Sequence, residues 1–181
     1  MKDLIFITGN QHKAEQLAKW LGAPVQHQKI DLDEIQSLDL REVVEHKAQQ
    51  AYGVVKKPVL VEDVAMIFTA FHALPGPLIK WFEKGSGLET ICRMLDAFDD
   101  RSAEAHTMYG LFDGGQLHMF EGIMRGTIAD KPRGDGGFGF DPIFINDGQS
   151  LTRAEMDEVT YAKTSYRAEA LAKLRAFLKT P

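Results

Sequence analysis

The apolar positions of this chain alternate between short unbroken runs and stretches with an apolar residue every three or four positions, a pattern typical of α/β proteins. The first run, Leu4 to Ile7, predicts a buried strand. A helical spacing follows at Ala14, Leu17, Ala18 and Leu21. Gly22 is expected to end that helix, because glycine is favoured just past helix C-termini. The chain therefore opens with a strand, a small polar loop and a helix.

The rest of the chain continues the same alternation of runs and helical spacings. Further strands are predicted over residues 25–30, 59–61, 106–112, 117–122, 126–129 and 143–145. The third and fourth of these runs flank Asp113-Gly114-Gly115, which predicts a hairpin. Helices are predicted from a capping pair at Asp39 and Glu42, over the apolar positions from Leu88 to Phe98, and over those from Leu171 to Leu178. We expect a single domain over residues 1–181.

The stretch from Pro58 to Phe82 contains a close grouping of candidate functional residues. The run Val59–Val61 predicts a buried strand that ends at two carboxylates, Glu62 and Asp63. Charged groups at such a position are costly unless they are paired, hydrated or bound to a metal. A bare Glu-Asp pair is most often a pair of solvated acids, so the residues around it must decide between the two interpretations.

Composition and charge narrow the classes of function. Hydrophobic residues make up 44% and charged residues 26% of the 181 positions, which is ordinary for a soluble globular protein. The net charge of -5 argues against a nucleic-acid-binding or membrane-binding surface, while a small anionic substrate needs only a local group of cations. A single cysteine, Cys92, excludes an intrachain disulfide. The first apolar run is too short for a signal peptide, so we expect a cytoplasmic protein.

Three further segments contain candidate ligand-binding residues. Thr8-Gly9-Asn10 lies between the first strand and helix, where free N–H groups favour a phosphate, and Lys13 adds a cation. Lys47 lies within an apolar helical stripe, where a lysine either extends its amine to solvent or serves a ligand. The segment from Gly134 to Phe144 combines glycines with Phe138 and Phe140, which suits a flat ligand or simply a loop before a strand.

The strings in these segments resemble the inosine triphosphate pyrophosphatase family. That family typically carries VED and then LPGPYIKWF, which stand here as Val61-Glu62-Asp63 and Leu74–Phe82 with Leu78 as the one change. Its TGNxxK loop is matched from Thr8 to Lys13, and its FG-aromatic-D motif from Phe138 to Asp141. Two departures stand out: Val64 replaces the usual serine or threonine, and Tyr166 replaces a histidine.

The resemblance implies a complete set of site residues. It assigns substrate contacts to Thr8, Gly9, Asn10, Lys13, Lys47, Lys80, Phe138, Gly139, Phe140, Asp141, Lys163, Tyr166 and Arg167. It assigns Mg²⁺ to Glu34 and Asp63, with Glu62 as a further candidate. Asp63 is the expected catalytic residue, as general base or as metal ligand.

The resemblance also implies a fold and a reaction. The fold is α/β, with a long, mixed, twisted sheet, flanking helices and two lobes around a central cleft. The reaction is hydrolysis of ITP, dITP or XTP to the monophosphate and pyrophosphate, and the assembly is a homodimer. A pyrophosphatase for other modified nucleotides and a catalytically silent nucleotide-binding module remain as alternatives.

Overall fold

The computed structural model describes residues 4–179. The described strands are β1 (Ile5–Ile7), β2 (Gln26–Gln28), β3 (Val59–Phe68), β4 (Pro75–Gly76), β5 (Ser102–Phe112), β6 (Leu117–Ile128) and β7 (Phe144–Asn146). The described α-helices are α1 (Gln11–Leu21), α2 (Leu40–Val55), α3 (Ile79–Ser86), α4 (Leu88–Arg93), α5 (Glu158–Lys163) and α6 (Tyr166–Lys179). Short 3₁₀ turns cover Thr69–Phe71 and Arg153–Glu155.

The strands form one mixed sheet. Within the described residues the sheet has seven strands in the order β2-β1-β3-β5-β6-β7, with β4 paired to β3. The pairs β1–β2 and β1–β3 are parallel, whereas β3–β4 and β6–β7 are antiparallel. The predicted α/β class, with a long mixed sheet and flanking helices, is confirmed.

Strand β3 differs from its prediction in a way that affects the site. The sequence pattern ends the strand at Val61, but the strand continues through Glu62 and Asp63 to Phe68. The residues after the acids, Ala65 to Phe68, are apolar again, and Met66 and Ile67 pair with β4. The two carboxylates therefore lie inside a strand, where the sheet fixes their backbone.

Other boundaries also shift. Strand β2 keeps three of the six predicted residues, and α4 ends at Arg93, before the predicted apolar positions Leu95 and Phe98. Asp39 caps α2 as predicted, but the Glu42 carboxylate accepts a hydrogen bond from Ser37 Oγ, so the two do not form the reciprocal capping pair. Gly22 ends α1 in the left-handed conformation, as expected.

The chain divides into two compact units, with β3, β5, β6 and α6 contributing to both. Unit 1 contains the described residues up to Val64, Thr107–Gly122 and the chain from Glu169 onward. Its core joins β1, α1, β3, β5, β6 and α6 through Phe6, Ala14, Leu17, Leu60, Tyr109, Leu111, Phe120, Ala170, Leu171 and Leu174. This core fixes the start of α1 and the acid pair of β3.

Unit 2 contains Ala65–His106 and Ile123–Ala168. It holds β4, α3, α4, β7, α5 and the glycine-rich segment after β6. The 3₁₀ turn Arg153–Glu155 has a reciprocal capping box made by Thr152 and Glu155. Among the described helices, none has the length and apolar character needed to cross a membrane.

Candidate functional site

The loop between β1 and α1 is organised by Asn10. The Asn10 side chain caps α1 and accepts hydrogen bonds from the backbone N–H groups of His12 (3.0 Å) and Lys13 (3.4 Å). The Asn10 N–H in turn donates to Thr8 Oγ1 at 3.0 Å. The loop is therefore a preformed turn at a helix N-terminus, where the helix dipole favours an anion.

Two lysines lie at this loop. The Lys13 ammonium is 3.6 Å from Glu62 Oε1, which links the first turn of α1 to strand β3. The aliphatic stem of Lys29 runs over Gly9, because a Cβ placed on Gly9 would lie 3.3 Å from the Lys29 Cγ and Cδ atoms. Lys29 was not predicted from the sequence, because it lies within the predicted strand over residues 25–30 and carries no distinguishing signal there.

Lys47 and Asp63 form a partly buried ion pair, with Lys47 Nζ 2.9 Å from Asp63 Oδ2 and side chains that are 20% and 21% exposed. Burial opposes the charge on the amine, but the Asp63, Glu34 and Glu62 carboxylates outweigh it and raise the pKa of Lys47. Burial likewise opposes the charge on the acid, but Lys47 and Lys13 outweigh it and lower the pKa of Asp63. Both groups are therefore ionised at neutral pH.

Hydrogen bonds within unit 1 orient the two carboxylates of β3. The Val64 backbone N–H donates to Asp63 Oδ1 at 2.9 Å, so a main-chain group orients this acid. Glu62 is buried and accepts a hydrogen bond from Thr107 Oγ1 at 3.4 Å. Thr107 comes from β5, and its role was invisible in the sequence because it is 45 residues away from Glu62.

The three predicted metal ligands are acidic, which is the correct chemistry for Mg²⁺. Glu34 is exposed and acts electrostatically on Lys47, as Glu62 and Asp63 do. Within residues 4–179, no three His, Cys, Asp or Glu side chains converge as a ready ligand set. Mg²⁺ commonly takes one or two carboxylates and completes its shell with water and substrate phosphate, so the donor set fits an ion that arrives with a nucleotide.

The ion pair gives a test of Lys47. Lys47→Met should lower kcat/KM for a triphosphate substrate by at least ~10-fold, because it removes a cation that both contacts Asp63 and suits a phosphate. Turnover measured at saturating magnesium would check this, with Lys57→Met as the control at an exposed lysine. An unchanged kcat/KM in a folded Lys47→Met protein would leave Lys47 with a structural role alone.

In unit 2, the FG-aromatic-D segment folds around the carboxylate of Asp141. The Oδ2 atom of Asp141 accepts hydrogen bonds from the Phe138 N–H (2.9 Å) and the Tyr161 hydroxyl (2.8 Å). Its Oδ1 atom accepts one from Arg153 Nε at 3.0 Å. Gly137 has a φ of +68°, and a Cβ there would lie 2.3 Å from Asp141 Oδ2, so the turn requires glycine. Asp141 is thus occupied in holding the turn.

The predicted base-binding side chains form an aromatic and cationic cluster. The Arg167 guanidinium lies 4.9 Å from the Phe138 ring centroid and 4.5 Å from that of Tyr166, and its Nη1 donates to the Tyr166 hydroxyl. The Tyr166 ring stacks on Phe140 at 5.7 Å. Burial raises the pKa of Tyr166 well above its usual range, so the hydroxyl stays protonated.

Three other groups of unit 2 lie near the surface. Lys80 is exposed on α3, with its amine 5.8 Å from the Trp81 ring centroid, and Lys163 is exposed at the last residue of α5. Glu83, which the sequence pattern did not indicate, lies close to the turn: its Oε2 is 3.8 Å from where a Cβ on Gly139 would lie. Burial and the charge of Asp141 raise the pKa of Glu83.

The predicted site residues therefore fall into two groups. Unit 1 brings together Thr8, Gly9, Asn10, Lys13, Glu34, Lys47, Glu62 and Asp63. Unit 2 brings together Phe138, Gly139, Phe140, Asp141, Tyr166 and Arg167, with Lys80 and Lys163 on its exposed helices. Sequence patterns missed Lys29, Glu83, Thr107, Arg153 and Tyr161.

Known proteins resemble this chain along nearly its whole length. Inosine triphosphate pyrophosphatases of Fusarium vanettenii and Schizosaccharomyces pombe are 42% and 39% identical to it, covering 96% and 99% of this chain and 95% and 97% of their own. A HAM1 protein from Coxiella burnetii superimposes with a TM-score of 0.86 at 24% identity, covering 97% of both chains. The Staphylococcus aureus Ham1 protein gives 0.81 at 24% identity, covering 97% of this chain and 98% of its own. The sequence model of the Ham1 family matches residues 4–177, and the chain belongs to that family.

Proposed function

We propose that this protein hydrolyses the deaminated purine nucleoside triphosphates ITP, dITP and XTP to the monophosphate and pyrophosphate. The observation that carries the proposal is the pair of lysine–carboxylate contacts in unit 1, Lys13–Glu62 and Lys47–Asp63, beside a helix N-terminus. Cations and helix amides suit a triphosphate, and carboxylates suit its metal ion. The names of the relatives in Fusarium and Schizosaccharomyces support the same reaction.

The residues of unit 1 would bind the triphosphate and hold Mg²⁺. Asp63 is the first candidate ligand, because its lowered pKa keeps it ionised, and Glu34 and Glu62 are the others. When bound, Mg²⁺ neutralises phosphate charge and polarises the phosphoryl group. The lowered pKa also makes Asp63 a weak general base, which favours orienting a water molecule and holding the metal over removing a proton.

The lysine partners add a second contribution to this chemistry. Lys47 and Lys13 already neutralise Asp63 and Glu62, so the local acidic charge does not repel an incoming triphosphate. An anionic substrate would compete for the same ammonium groups, which can donate several hydrogen bonds each. Binding would thus release the carboxylates towards the metal as the lysines turn to phosphate oxygens.

The cluster in unit 2 would bind the base. Phe138 supplies an aromatic face, and Arg167, held over it, supplies hydrogen-bond donors. The 6-keto oxygen of hypoxanthine and xanthine is an acceptor, whereas adenine presents a 6-amino donor at that position. This complementarity favours deaminated purines over ATP, although guanine carries the same 6-keto group.

The experiment that tests the proposal is pyrophosphate release from a panel of triphosphates with magnesium. We expect kcat/KM for ITP and XTP to exceed that for ATP by at least ~10-fold, the lower end for one directed base contact. Removal of magnesium with a chelator should abolish turnover, and adding magnesium back should restore it. A protein that binds ITP without cleaving it would instead be the silent binding module.

One observation keeps a second substrate class open. Tyr166, which differs from the family's histidine, is buried against Phe140 and Arg167, so one residue of the proposed base-binding cluster is altered. A related pyrophosphatase for other modified purines would show its highest kcat/KM on one of those nucleotides in the same panel.

We further propose a cytoplasmic location and a homodimer. The homodimer is testable by light scattering.

A further inference from the structure

Arg153 forms an ion pair with Asp141 in the interior of unit 2. Arg153 Nε is 3.0 Å from Asp141 Oδ1, and both side chains are 0% exposed. Removing two charges from water is costly in free energy. Apolar residues of similar volume at such a position often stabilise a protein as much as a buried ion pair does, or more. Stability alone therefore does not account for the pair, and its neighbours indicate what it does.

The pair controls the conformation of the turn that carries Phe138. The same Asp141 carboxylate accepts hydrogen bonds from the Phe138 N–H and from the Tyr161 hydroxyl, at 2.9 Å and 2.8 Å. The Asp141 N–H closes the turn on the Phe138 carbonyl at 3.4 Å. Arg153 thus fixes the acid, and the acid fixes the backbone that presents the Phe138 ring.

Arg153 is itself held from several sides. Its Nη1 donates to the Thr164 carbonyl at 2.8 Å, and its guanidinium lies 4.2 Å from the Tyr161 ring centroid and 5.3 Å from that of Tyr166. Its Nη2 is buried and makes no hydrogen bond within the described structure. An unsatisfied buried donor is unfavourable, so the guanidinium occupies this position at a cost that its other contacts must offset.

The ring that Arg153 positions is also the ring on which Arg167 lies. The Phe138 side chain is half-buried, and the Arg167 guanidinium is 4.9 Å from its centroid. Tyr166 contacts both arginines, with its ring near Arg153 and its hydroxyl on Arg167. One connected network therefore joins the buried ion pair to Phe138 and Arg167, the two side chains best suited to bind a purine.

We propose that Arg153 is a positioning residue for base recognition. This inference rests on the proposed function. Arg153 acts through Asp141 to position the Phe138 ring, and through Tyr166 to position the Arg167 guanidinium, so that both groups can contact the base. It does not itself contact the phosphates, because its side chain is 0% exposed and paired with Asp141. Its loss therefore weakens binding of the base and leaves the chemistry at phosphorus intact.

The test compares Arg153→Met, Arg153→Lys and a control, Arg133→Met, in pyrophosphate release from ITP. Arg133 pairs with Glu155 of the same 3₁₀ turn and donates to the Ser150 carbonyl instead of to Asp141. The Arg133→Met variant therefore reports a general loosening of that turn. Arg153→Met should raise the KM for ITP by ~10- to 100-fold, as misplacement of a binding group does, with kcat nearly unchanged. Arg153→Lys should raise the KM by less than Arg153→Met does, because lysine keeps the positive charge but lacks the planar set of guanidinium donors. Arg133→Met should keep the wild-type KM.

Binding of inosine monophosphate by calorimetry is measured in parallel, and its Kd should rise with the KM. A folded Arg153→Met protein with wild-type KM and Kd overturns the inference, as does a fall in kcat at unchanged KM. Should Arg153→Met fail to fold, Tyr161→Phe and Arg153→Lys test the inference, because both weaken the contacts that hold Asp141 with little loss of volume. A wild-type KM in both variants overturns the inference.

A wild-type protein that binds inosine monophosphate but cleaves no triphosphate refutes the proposed function, while the Kd values still test Arg153. Absence of both activities refutes both.

Discussion

Asp63→Asn is expected to lower kcat for ITP by at least ~100-fold, the lower range for losing a carboxylate that acts in catalysis. The amide keeps an oxygen that can accept the hydrogen bond from Lys47, so the shape of the site is preserved. It loses the negative charge that suits a magnesium ion and a reacting water molecule. The measurement is steady-state turnover with ITP over a magnesium titration.

The same variant separates chemistry from folding. Asp63 lies inside strand β3 and is about one-fifth exposed, so Asn should cost only ~1 kcal/mol, or ~2–4 °C in Tm for a chain of this size. Asp99→Asn, at an exposed acid of unit 2, serves as the control and should retain full activity. Wild-type kcat at saturating magnesium in the Asp63→Asn protein would remove Asp63 from the mechanism.

Arg167→Met is expected to reduce the ratio of kcat/KM for ITP to that for ATP by ~5- to 150-fold, which corresponds to ~1–3 kcal/mol for one base-edge contact. A guanidinium donates hydrogen bonds and accepts none, so it discriminates a 6-keto from a 6-amino group. Its position over Phe138 is fixed by the Tyr166 hydroxyl. Arg167 by itself does not reject GTP, which also presents a 6-keto oxygen.

Two further variants sharpen this experiment. Arg175→Met removes an exposed arginine from the same helix, α6, and should leave the ratio unaltered. Tyr166→His removes the hydroxyl that accepts from Arg167 Nη1 and should change the ratio in the same direction as Arg167→Met, by less. If Arg167→Met keeps the wild-type ratio while its melting curve is normal, selection of the base resides in other residues.

The order of most elements and the residue types of the candidate site follow from local sequence patterns. Apolar runs and helical spacings are local, so they located most strands and helices and placed Gly22 at the end of α1. Motif spacing also selected the candidate residues themselves, because each motif is short and local in the sequence. The acids of β3 were found, although their place inside the strand was not.

The contacts between distant side chains depend on how the elements pack against one another. Asp63 pairs with Lys47, 16 residues away, and Glu62 pairs with Thr107, 45 residues away, because α2 and β5 pack beside β3. No periodicity reports such a contact, since it depends on how elements pack and not on their local pattern.

The same reason explains why Arg153 escaped sequence analysis. In the sequence it is an arginine in a polar stretch, which is usually a solvated position. In the structure it is fully buried, paired with Asp141 and covered by two tyrosine rings. The local pattern of a sequence determines where a charge is placed along an element, whereas the packing of distant elements determines whether that charge is buried and which partner compensates it.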